Sequence, residues 1–437
     1  GTGWGNSLWE VSFLDGNNPP VVSGDGKTTV IKLPSRMDLG GVVLSWADDY
    51  AKEYTLEISK DGKDFKEVYR TAEGNGGKDL IYFKATPAKE LRINCIKPAS
   101  GSRCAIKGFE PKSGEEQATP IKIYQALSKE SPAGYYPMWL RRLQEFWTVT
   151  GVPDSDSEGL FTETGTFEPY KDGFSLMPFV YDGKKLYTAE DCRVSQALAD
   201  GYLPIPSAAW DHSDWSLEIT ALSTRGSETS LRYVIRNTGK AALKGKLFIA
   251  VRPVQVNPVW QRGGFSPINR IECKPPVLSI NGRDCLVSAT QGVSMGAAEL
   301  SKGDAVDFMK KGELPPSLTA ASAEGTASAG LSFNVAAAPG EANTFIIQMP
   351  AVKPSDFDSD LLKQKRFWKD ELSRVYIDIP EMRIVDVMRT NVAYILINKD
   401  GPWIKPGSRN YSHSWIRDGA LTSAAILRMG INDEVKQ

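Results

Sequence analysis

The sequence contains little histidine and no closely spaced cysteine pair. Its 437 residues include two histidines, His212 and His413, and none of its five cysteines forms a Cys-x-x-Cys pair. Because transition-metal sites use histidine and closely spaced cysteine ligands, we predict no metal site of this kind, and we expect no cofactor. The sequence does not indicate whether calcium is required. Asp211 and Asp214 flank His212, but this grouping is more typical of a hydrogen-bonded turn between strands.

The five cysteines are too few and too scattered for a disulfide-rich scaffold. Two pairs, Cys95–Cys104 and Cys273–Cys285, are spaced so that each could close a hairpin in an oxidising compartment, which would leave Cys192 free. No signal peptide is visible, but the opening Gly-Thr-Gly-Trp is what a processed chain would show, so this excludes little. We expect a secreted or periplasmic protein.

No apolar run reaches the roughly 18 residues that a membrane-spanning helix needs, so we predict no membrane insertion. The charges almost cancel, with 52 basic and 53 acidic residues. No basic stripe is present, so electrostatics does not favour a nucleic-acid partner. The 11 tryptophans are many for such a chain, and aromatic rings pack against sugars as readily as they fill cores. The sequence does not indicate the oligomeric state.

The length predicts more than one domain. Within residues 1–112, Tyr54, Leu56 and Ile58 alternate with polar residues, which is the period of a half-buried strand. The pair Asp61-Gly62 that follows is typical of a hairpin turn. Short strands separated by such turns predict an all-β sandwich.

The stretch GGVVLSWADDYAKEYTLEISKDGKDFKEVY, Gly40 to Tyr69, resembles the discoidin family (coagulation factor 5/8 type C). The resemblance implies a jelly-roll sandwich, and family members often bind sugars or membranes through loops at one end. Those loops vary too much for any binding residue to be carried over. A purely structural role for this sandwich is the alternative.

The next two regions differ in composition. Residues 113–122 are polar, contain Gly and Pro and lack periodicity, which predicts a linker. Residues 123–352 carry alternating β-branched runs such as SLEITALST and TSLRYVIRN, and an all-β body of this length is typical of a large two-sheet sandwich. The stretch VRPVQVNPVWQ, Val251 to Gln261, contains two prolines and should lie at the edge or rim of a sheet.

From residue 353 the apolar period becomes helical. The residues that carry it are Leu361, Trp368, Leu372 and Val375, then Ile384, Met388, Val392 and Ile395. They predict two helices. A third helix is predicted over residues 418–429 with Gly430 as its left-handed C-cap, and Asn432 followed by acidic residues predicts the start of a fourth.

An aromatic and charged cluster precedes the third predicted helix, and its candidate substrate-binding residues are Tyr411, Trp415, Arg417 and Asp418. Asp418 falls in the first helical turn, where free N–H groups and the helix dipole stabilise its ionised form. Beside the donor fork of Arg417 it offers an acceptor for sugar hydroxyls, and the rings offer an apolar wall. Lys405, Arg409 and His413 add donors. The structural alternative is a capping aspartate, an exposed arginine and two buried rings.

The segment NYSHSWIRDGALTSAAILRMG, Asn410 to Gly430, resembles the six-hairpin (glucoamylase-like) glycosidases, which carry aromatic-x-x-x-Trp-x-Arg-Asp-x-Ala-Leu at a helix start. The resemblance implies that Arg417 and Asp418 hold the outer hydroxyls of the sugar in the −1 subsite and that Trp415 lines the pocket. Bacterial members also place a β super-sandwich ahead of a helical toroid. Gly419 and His413 depart from the family pattern, which leaves the sugar and the linkage open.

These patterns predict a multidomain, mainly β fold. Its regions are a discoidin-like sandwich (1–112), a linker (113–122), a β super-sandwich (123–352) and the first helices of an incomplete α/α toroid (353–437). The predicted partner is an oligo- or polysaccharide.

The resemblance implies a glycoside hydrolase that acts with inversion through two carboxylates. In the family both carboxylates come from later loops of the toroid, so we expect them beyond residue 437, in a longer protein. This chain alone is expected to be inactive, and neither Glu381 nor Asp400 is assigned a catalytic role. The alternatives are a non-catalytic glycan-binding or adhesion protein and a glycoside phosphorylase of the same architecture.

Overall fold

The protein is described here from a computed structural model that covers residues 21–72, 74–114, 119–155, 157–226 and 228–436. The chain divides into two compact units, Gly1–Leu127 and Ser128–Gln437. The opening GTGWGNS of the sequence lies outside the described residues.

The N-terminal unit is built on one antiparallel sheet. Its described strands are β1 (Val21–Gly24), β2 (Thr28–Trp46), β3 (Ala51–Ser59), β4 (Lys66–Thr71), β5 (Lys78–Pro98) and β6 (Ile106–Ser113). Their order is β1-β2-β5-β3-β4, and β6 pairs with β2. The register between β2 and β5 shifts twice, and such bulges bend long strands.

The strand and turn predicted around Tyr54 are confirmed. Tyr54, Leu56 and Ile58 of β3 are buried in the core of the unit. Gly62 has φ +79° in the turn between β3 and β4, a conformation that glycine adopts without steric cost. The side chains of Tyr54 and Trp46 both donate to the Asp79 carboxylate, so the polar atoms of this aromatic core are satisfied.

Two sheets form the larger part of the C-terminal unit. The strands are β7 (Trp147–Thr150), β8 (Gly159–Thr162), β9 (Phe167–Glu168), β10 (Ser175–Tyr181), β11 (Leu186–Tyr187), β12 (Arg193–Ala199), β13 (Leu203–Asp211), β14 (Trp215–Ser223), β15 (Thr229–Asn237), β16 (Leu243–Arg252), β17 (Arg270–Lys274), β18 (Val277–Ile280), β19 (Arg283–Ser288), β20 (Ser294–Ala298), β21 (Thr319–Ala321), β22 (Ser328–Ala337) and β23 (Ala342–Met349). Among the described residues, one sheet has the order β20-β22-β16-β10-β9-β8-β7 with β11 on β10. The other has the order β12-β13-β14-β15-β23-β19-β18-β17-β21.

Side chains from both sheets form one core, which includes Trp210, Trp215, Tyr233 and Phe333. The mainly β fold is therefore confirmed. Strand β16 lies inside its sheet and ends at Arg252, directly before Pro253. The rest of the proline-containing stretch thus leaves the sheet at its rim, as predicted.

The predicted cysteine pairs have different outcomes. Cys95 and Cys104 form a disulfide. The Cys273–Cys285 pairing is wrong, because both cysteines are free and β18 lies between their strands. Two strand spacings, about 9.6 Å in total, separate β17 from β19. Cys192 is free, as predicted.

The grouping around His212 forms a turn between β13 and β14. The backbone N–H of Asp214 donates to His212 Nδ1 at 3.3 Å, and the imidazole stacks on Trp215. The predicted hydrogen-bonded turn is confirmed. Within the described ranges, no group of three or more His, Cys, Asp or Glu residues is arranged to hold a metal ion.

The helices are α1 (Pro120–Glu130), α2 (Ala305–Met309), α3 (Phe357–Leu372), α4 (Met382–Ile397) and α5 (Ile416–Arg428), and a short hairpin, β24 (Lys399–Asp400) and β25 (Trp403–Ile404), joins α4 to the loop before α5. None of the described helices is long and apolar enough to cross a membrane. The predicted linker, residues 113–122, overlaps two elements, because Ser113 is the last residue of β6 and Pro120 is the first residue of α1. Residues 115–118 lie outside the described part of the chain.

The third predicted helix begins and ends close to its predicted position. Helix α5 starts at Ile416, two residues before the predicted start, and Gly430 has φ +77° as a left-handed cap requires. The predicted fourth helix is not formed in the described residues, where 433–435 make only a turn.

Helices α3, α4 and α5 pack on the sandwich through a shared apolar cluster. Trp368, Leu396 and Ile426 bury their side chains there together with Leu203 of β13. A second apolar face of α4 and α5 is exposed, and it includes Ile384, Val387, Ile416 and Leu421. The helical region therefore has one face on the sandwich and another open to solvent.

Candidate functional site

The loop between β25 and α5, residues 405–415, is anchored on the sandwich by a buried ion pair. Arg409 Nε donates to Glu168 Oε1 at 2.8 Å, and both side chains are almost fully buried. The other carboxylate oxygen, Glu168 Oε2, accepts from the backbone N–H of Asn257 at 2.9 Å. Burial raises the pKa of Glu168, while the Arg409 guanidinium and the Asn257 N–H oppose that rise.

The partners of this ion pair come from separate elements. Glu168 is the last residue of β9, and Asn257 lies in the rim segment that follows β16. A second contact joins the same two regions, because Lys171 Nζ donates to Ser412 Oγ at 2.9 Å. The loop that carries the candidate residues is therefore held at two points by the rim of the sandwich.

The two predicted ring residues lie together on the surface. The ring centroids of Tyr411 and Trp415 are 5.6 Å apart in an edge-to-face arrangement, which is a favourable geometry for aromatic pairs. Their exposed fractions are 58% and 43%. The His413 ring lies 6.4 Å from that of Trp415. The structural alternative of two buried rings is therefore wrong.

Arg417 and Asp418 stand at the start of α5, directly after these rings. Trp415 is the N-cap residue and Asp418 lies in the first turn, as predicted. Arg417 is exposed and Asp418 is half-buried. Neither side chain has a hydrogen-bond or ion-pair partner among the described residues. Their donor and acceptor groups remain available to a ligand.

Two of the three additional donors were predicted wrongly. Arg409 directs its Nε to Glu168 and its Nη1 to the Ser408 carbonyl oxygen, and Lys405 is paired with Asp400. Their closeness in sequence to the motif does not determine which way they point. His413 alone of the three is exposed beside the rings.

The two carboxylates close in sequence to the motif have structural partners. Glu381 is the N-cap of α4 and accepts from the Arg383 N–H at 3.2 Å. Asp400 is the partner of Lys405. Both carboxylates therefore make contacts within the fold.

The contribution of the sandwich to this site was not found from the sequence. Glu168 belongs to a two-residue strand, which is too short to show a period. Around it, buried Arg409 Nη2 and Asn257 Oδ1 have no hydrogen-bond partner among the described residues. The only sequence signal was the proline-containing rim segment, which indicates a rim but not what packs on it.

Comparison with known proteins identifies the first region of the chain. The family model described as the F5/8 type C domain matches residues 5–107. No curated protein matches the chain significantly.

Several solved structures are similar to a small part of the chain. Chitosan-binding module 2, in complex with chitotriose, derived from a chitosanase/glucanase of Paenibacillus sp. IK-5, is 31% identical over 20% of this chain and 69% of its own, with a TM-score of 0.19. Module 1 of the same enzyme is 28% identical over 23% of this chain and 80% of its own, with a TM-score of 0.20. CpGH89CBM32-5 from Clostridium perfringens, in complex with GalNAc-beta-1,3-galactose, is 14% identical over 20% of this chain and 65% of its own, with a TM-score of 0.19. The family match is what identifies the region: the chain carries an F5/8 type C (discoidin-like) domain at its N-terminal end.

Proposed function

We propose that this is a carbohydrate-active protein that holds a glycan at the start of α5. The observation that carries the proposal is the exposed edge-to-face pair of Tyr411 and Trp415 beside Arg417 and Asp418, whose side chains have no partner among the described residues. The contacts of Arg409 and Ser412 with the sandwich, which anchor this short segment, support the proposal.

Each group has a separate task in this proposal. The exposed faces of the Tyr411 and Trp415 rings pack against the C–H face of a sugar ring. The Asp418 carboxylate accepts from two neighbouring sugar hydroxyls, and its charge is stabilised by the positive end of the α5 dipole. The Arg417 guanidinium donates to hydroxyl oxygens on the same side of the sugar. Water is displaced from the apolar wall, while the hydroxyls exchange water for charged partners.

We further propose that residues 353–437 belong to a glucoamylase-like α/α toroid in a glycoside hydrolase. The motif at Asn410 to Gly430 supports this, as does the exposed apolar face of α4 and α5, which is typical of helices that pack against further helices. Inversion needs an acid and a base about 6.5–9.5 Å apart, and both nearby carboxylates, Glu381 and Asp400, are engaged elsewhere. We therefore expect this chain to bind glycan without cleaving it.

Calorimetric titration with maltohexaose, cellohexaose and the hexamer of N-acetylglucosamine tests the binding step. For any hexamer that binds, we expect Asp418→Asn and Trp415→Ala each to weaken affinity by roughly tenfold or more, because a charge-assisted hydrogen bond or an aromatic wall is lost. Tyr376→Ala, which removes an 86% exposed ring between α3 and α4, is the matched control and should leave affinity unchanged. Unchanged binding in both site variants would overturn the proposal.

A second candidate function is favoured by the family match to residues 5–107. In this alternative the F5/8 type C domain binds the glycan and the remainder of the chain has no role in binding. Full affinity in the Asp418→Asn, Trp415→Ala double variant would reject the first proposal. Loss of that affinity when the N-terminal unit, residues 1–127, is deleted would support this alternative.

The cellular compartment is also proposed. The Cys95–Cys104 disulfide supports a secreted or periplasmic location, because disulfides persist mainly in oxidising compartments.

A further inference from the structure

A groove of about 490 Å³ lies at one edge of the sandwich, apart from the Tyr411 cluster. Its walls come from the β7–β8 hairpin, from β12 and β13, and from Tyr394 of α4. Strands β7 and β12 are the end strands of their sheets, so the groove follows the open side of the sandwich. Its volume is in the range of small-molecule sites, roughly 300–1,000 Å³.

Aromatic side chains form the apolar part of the groove. Phe146 directly precedes β7 and its side chain is 63% exposed. Trp147, the first residue of β7, is half-buried beside it. Tyr394 is fixed in place because the Thr148 hydroxyl lies 2.6 Å from its own hydroxyl. The buried Phe161 of β8 also lines the groove. The groove thus presents the solvent-facing ring of Phe146, the half-buried ring of Trp147, and the rings of Phe161 and Tyr394.

The polar part of the groove has unused hydrogen-bonding capacity. Gln196 Nε2 lies 3.4 Å from the Glu163 carbonyl oxygen, and Glu163 Oε1 accepts from the Phe146 N–H at 3.4 Å. The second carboxylate oxygen of Glu163, the amide oxygen of Gln196 and the hydroxyl of Ser207 have no partner among the described residues. Each of these groups can accept a hydrogen bond, and Ser207 can also donate one.

The charge of the lining selects the class of ligand. Among the lining residues that the structure describes, Glu163 alone is charged, and none is a lysine or arginine. A phosphate, sulfate or uronate group would meet an uncompensated carboxylate there. An uncharged polyol meets acceptors for its hydroxyls, and an amine meets a counter-charge.

We propose that this groove binds an uncharged or amine-bearing oligosaccharide. The rings of Phe146 and Trp147 pack on the sugar faces, while Glu163, Gln196 and Ser207 bind the hydroxyl or amino groups. The site is separate from the Tyr411 cluster, because no residue of the 405–418 segment lines it. The chain then holds a glycan at two places on its C-terminal unit.

The test uses the full chain carrying Asp418→Asn, which weakens the first site without touching the groove. Maltohexaose, cellohexaose and the glucosamine hexamer of chitosan are titrated calorimetrically, with hexagalacturonate as the anionic comparison. We expect at least one of the first three to bind and hexagalacturonate not to bind. Phe146→Ala should weaken the affinity roughly tenfold, because a stacking ring is lost, and Gln196→Ala should weaken it by roughly a few-fold factor.

Two further variants make the result specific. Tyr376→Ala removes a comparably exposed ring elsewhere and should leave affinity unchanged. Glu163→Gln should reduce the affinity for the glucosamine hexamer more than the affinity for the uncharged hexamers, because only the amine loses a counter-charge. Circular dichroism of Phe146→Ala must match that of the parent chain, as expected for an exposed side chain.

Three results would overturn the groove proposal: none of the three hexamers binds the Asp418→Asn chain, binding is insensitive to both Phe146→Ala and Gln196→Ala, or hexagalacturonate binds equally well. If Asp418→Asn abolishes glycan binding and Phe146→Ala in the otherwise native chain does not change it, the groove proposal is rejected and the proposal for the α5 site is retained. The failures of the two proposals are thus distinguishable.

Discussion

At the scale of single residues, Glu145 is a carboxyl group in an unfavourable place. It is buried, and its Oε2 accepts from the Met138 N–H at 3.2 Å. The carboxyl lines a water-sized cavity of about 20 Å³. Burial raises its pKa from 4.5 to about 8, the nearby Glu163 adds to the rise, and the Met138 hydrogen bond opposes it.

The stability of the C-terminal unit should therefore fall as the pH rises from about 4.5 towards 8. In this pH range the Glu145 carboxyl releases its proton in the unfolded state and keeps it in the folded state. Rising pH therefore stabilises the unfolded state relative to the folded state. Glu145→Gln imitates the protonated form, and it should raise the free energy of unfolding at pH 7 by up to roughly 3 kcal/mol, with much less gain at pH 5. Urea unfolding at the two pH values measures this.

The control for Glu145 is Glu324→Gln, which changes an exposed carboxylate and should alter stability little at either pH. An equal effect of Glu145→Gln at pH 5 and pH 7 would contradict the assignment of a protonated buried carboxyl.

At the scale of elements, the Arg409–Glu168 pair couples the loop before α5 to strand β9. Arg409→Met leaves a buried carboxylate without its partner and should destabilise the C-terminal unit by about 3–5 kcal/mol. The double variant Glu168→Leu, Arg409→Met removes that unpaired charge and should cost less than the sum of the two single changes. Glycan affinity at Trp415 should still be weakened in the double variant, since the loop keeps only its Lys171–Ser412 contact with the sandwich.

A double-mutant cycle on the exposed Arg70–Glu67 pair of β4 is the matched comparison. Surface pairs of this kind contribute at most about 1 kcal/mol. A coupling energy for Arg409–Glu168 as small as that of the surface pair would show that the loop is held by other contacts.

The elements also show what the sequence could and could not predict. Strand β3 with its Asp61-Gly62 turn follows local rules of period and turn chemistry and is found where predicted. Helix α5 follows the same kind of local signal and begins two residues before its predicted start. Arg409 and Glu168 are 241 positions apart, and their contact depends on the order of strands in a sheet. The Cys273–Cys285 pairing failed for the same reason, because spacing alone does not reveal an intervening strand.

At the scale of the whole molecule, the two compact units have different sources of stability. The Cys95–Cys104 cross-link spans 9 positions and lies wholly within the N-terminal unit. Closing a loop of that length is worth about 2–3 kcal/mol in the chain-entropy account. Replacing both cysteines by serine should therefore destabilise the N-terminal unit by this amount and leave the C-terminal unit unchanged.

Hydrogen exchange followed by mass spectrometry measures the two units separately in the intact chain. Faster exchange should be confined to strands β2 to β6 in the cysteine variant, and Cys192→Ser, at a free cysteine, should change neither unit. Equal loss of protection in both units would contradict independent stability.

The two-point attachment of the loop before α5 has a consequence for protein engineering. The side chains proposed to contact the glycan belong to the helical region, but Glu168 and Lys171, which hold their loop, belong to the sandwich. A chimera that joins these helices to an unrelated scaffold would keep every residue of the motif and lose the shape in which they are presented. Transfer of the proposed site to another protein would therefore require the sandwich residues as well as the helices.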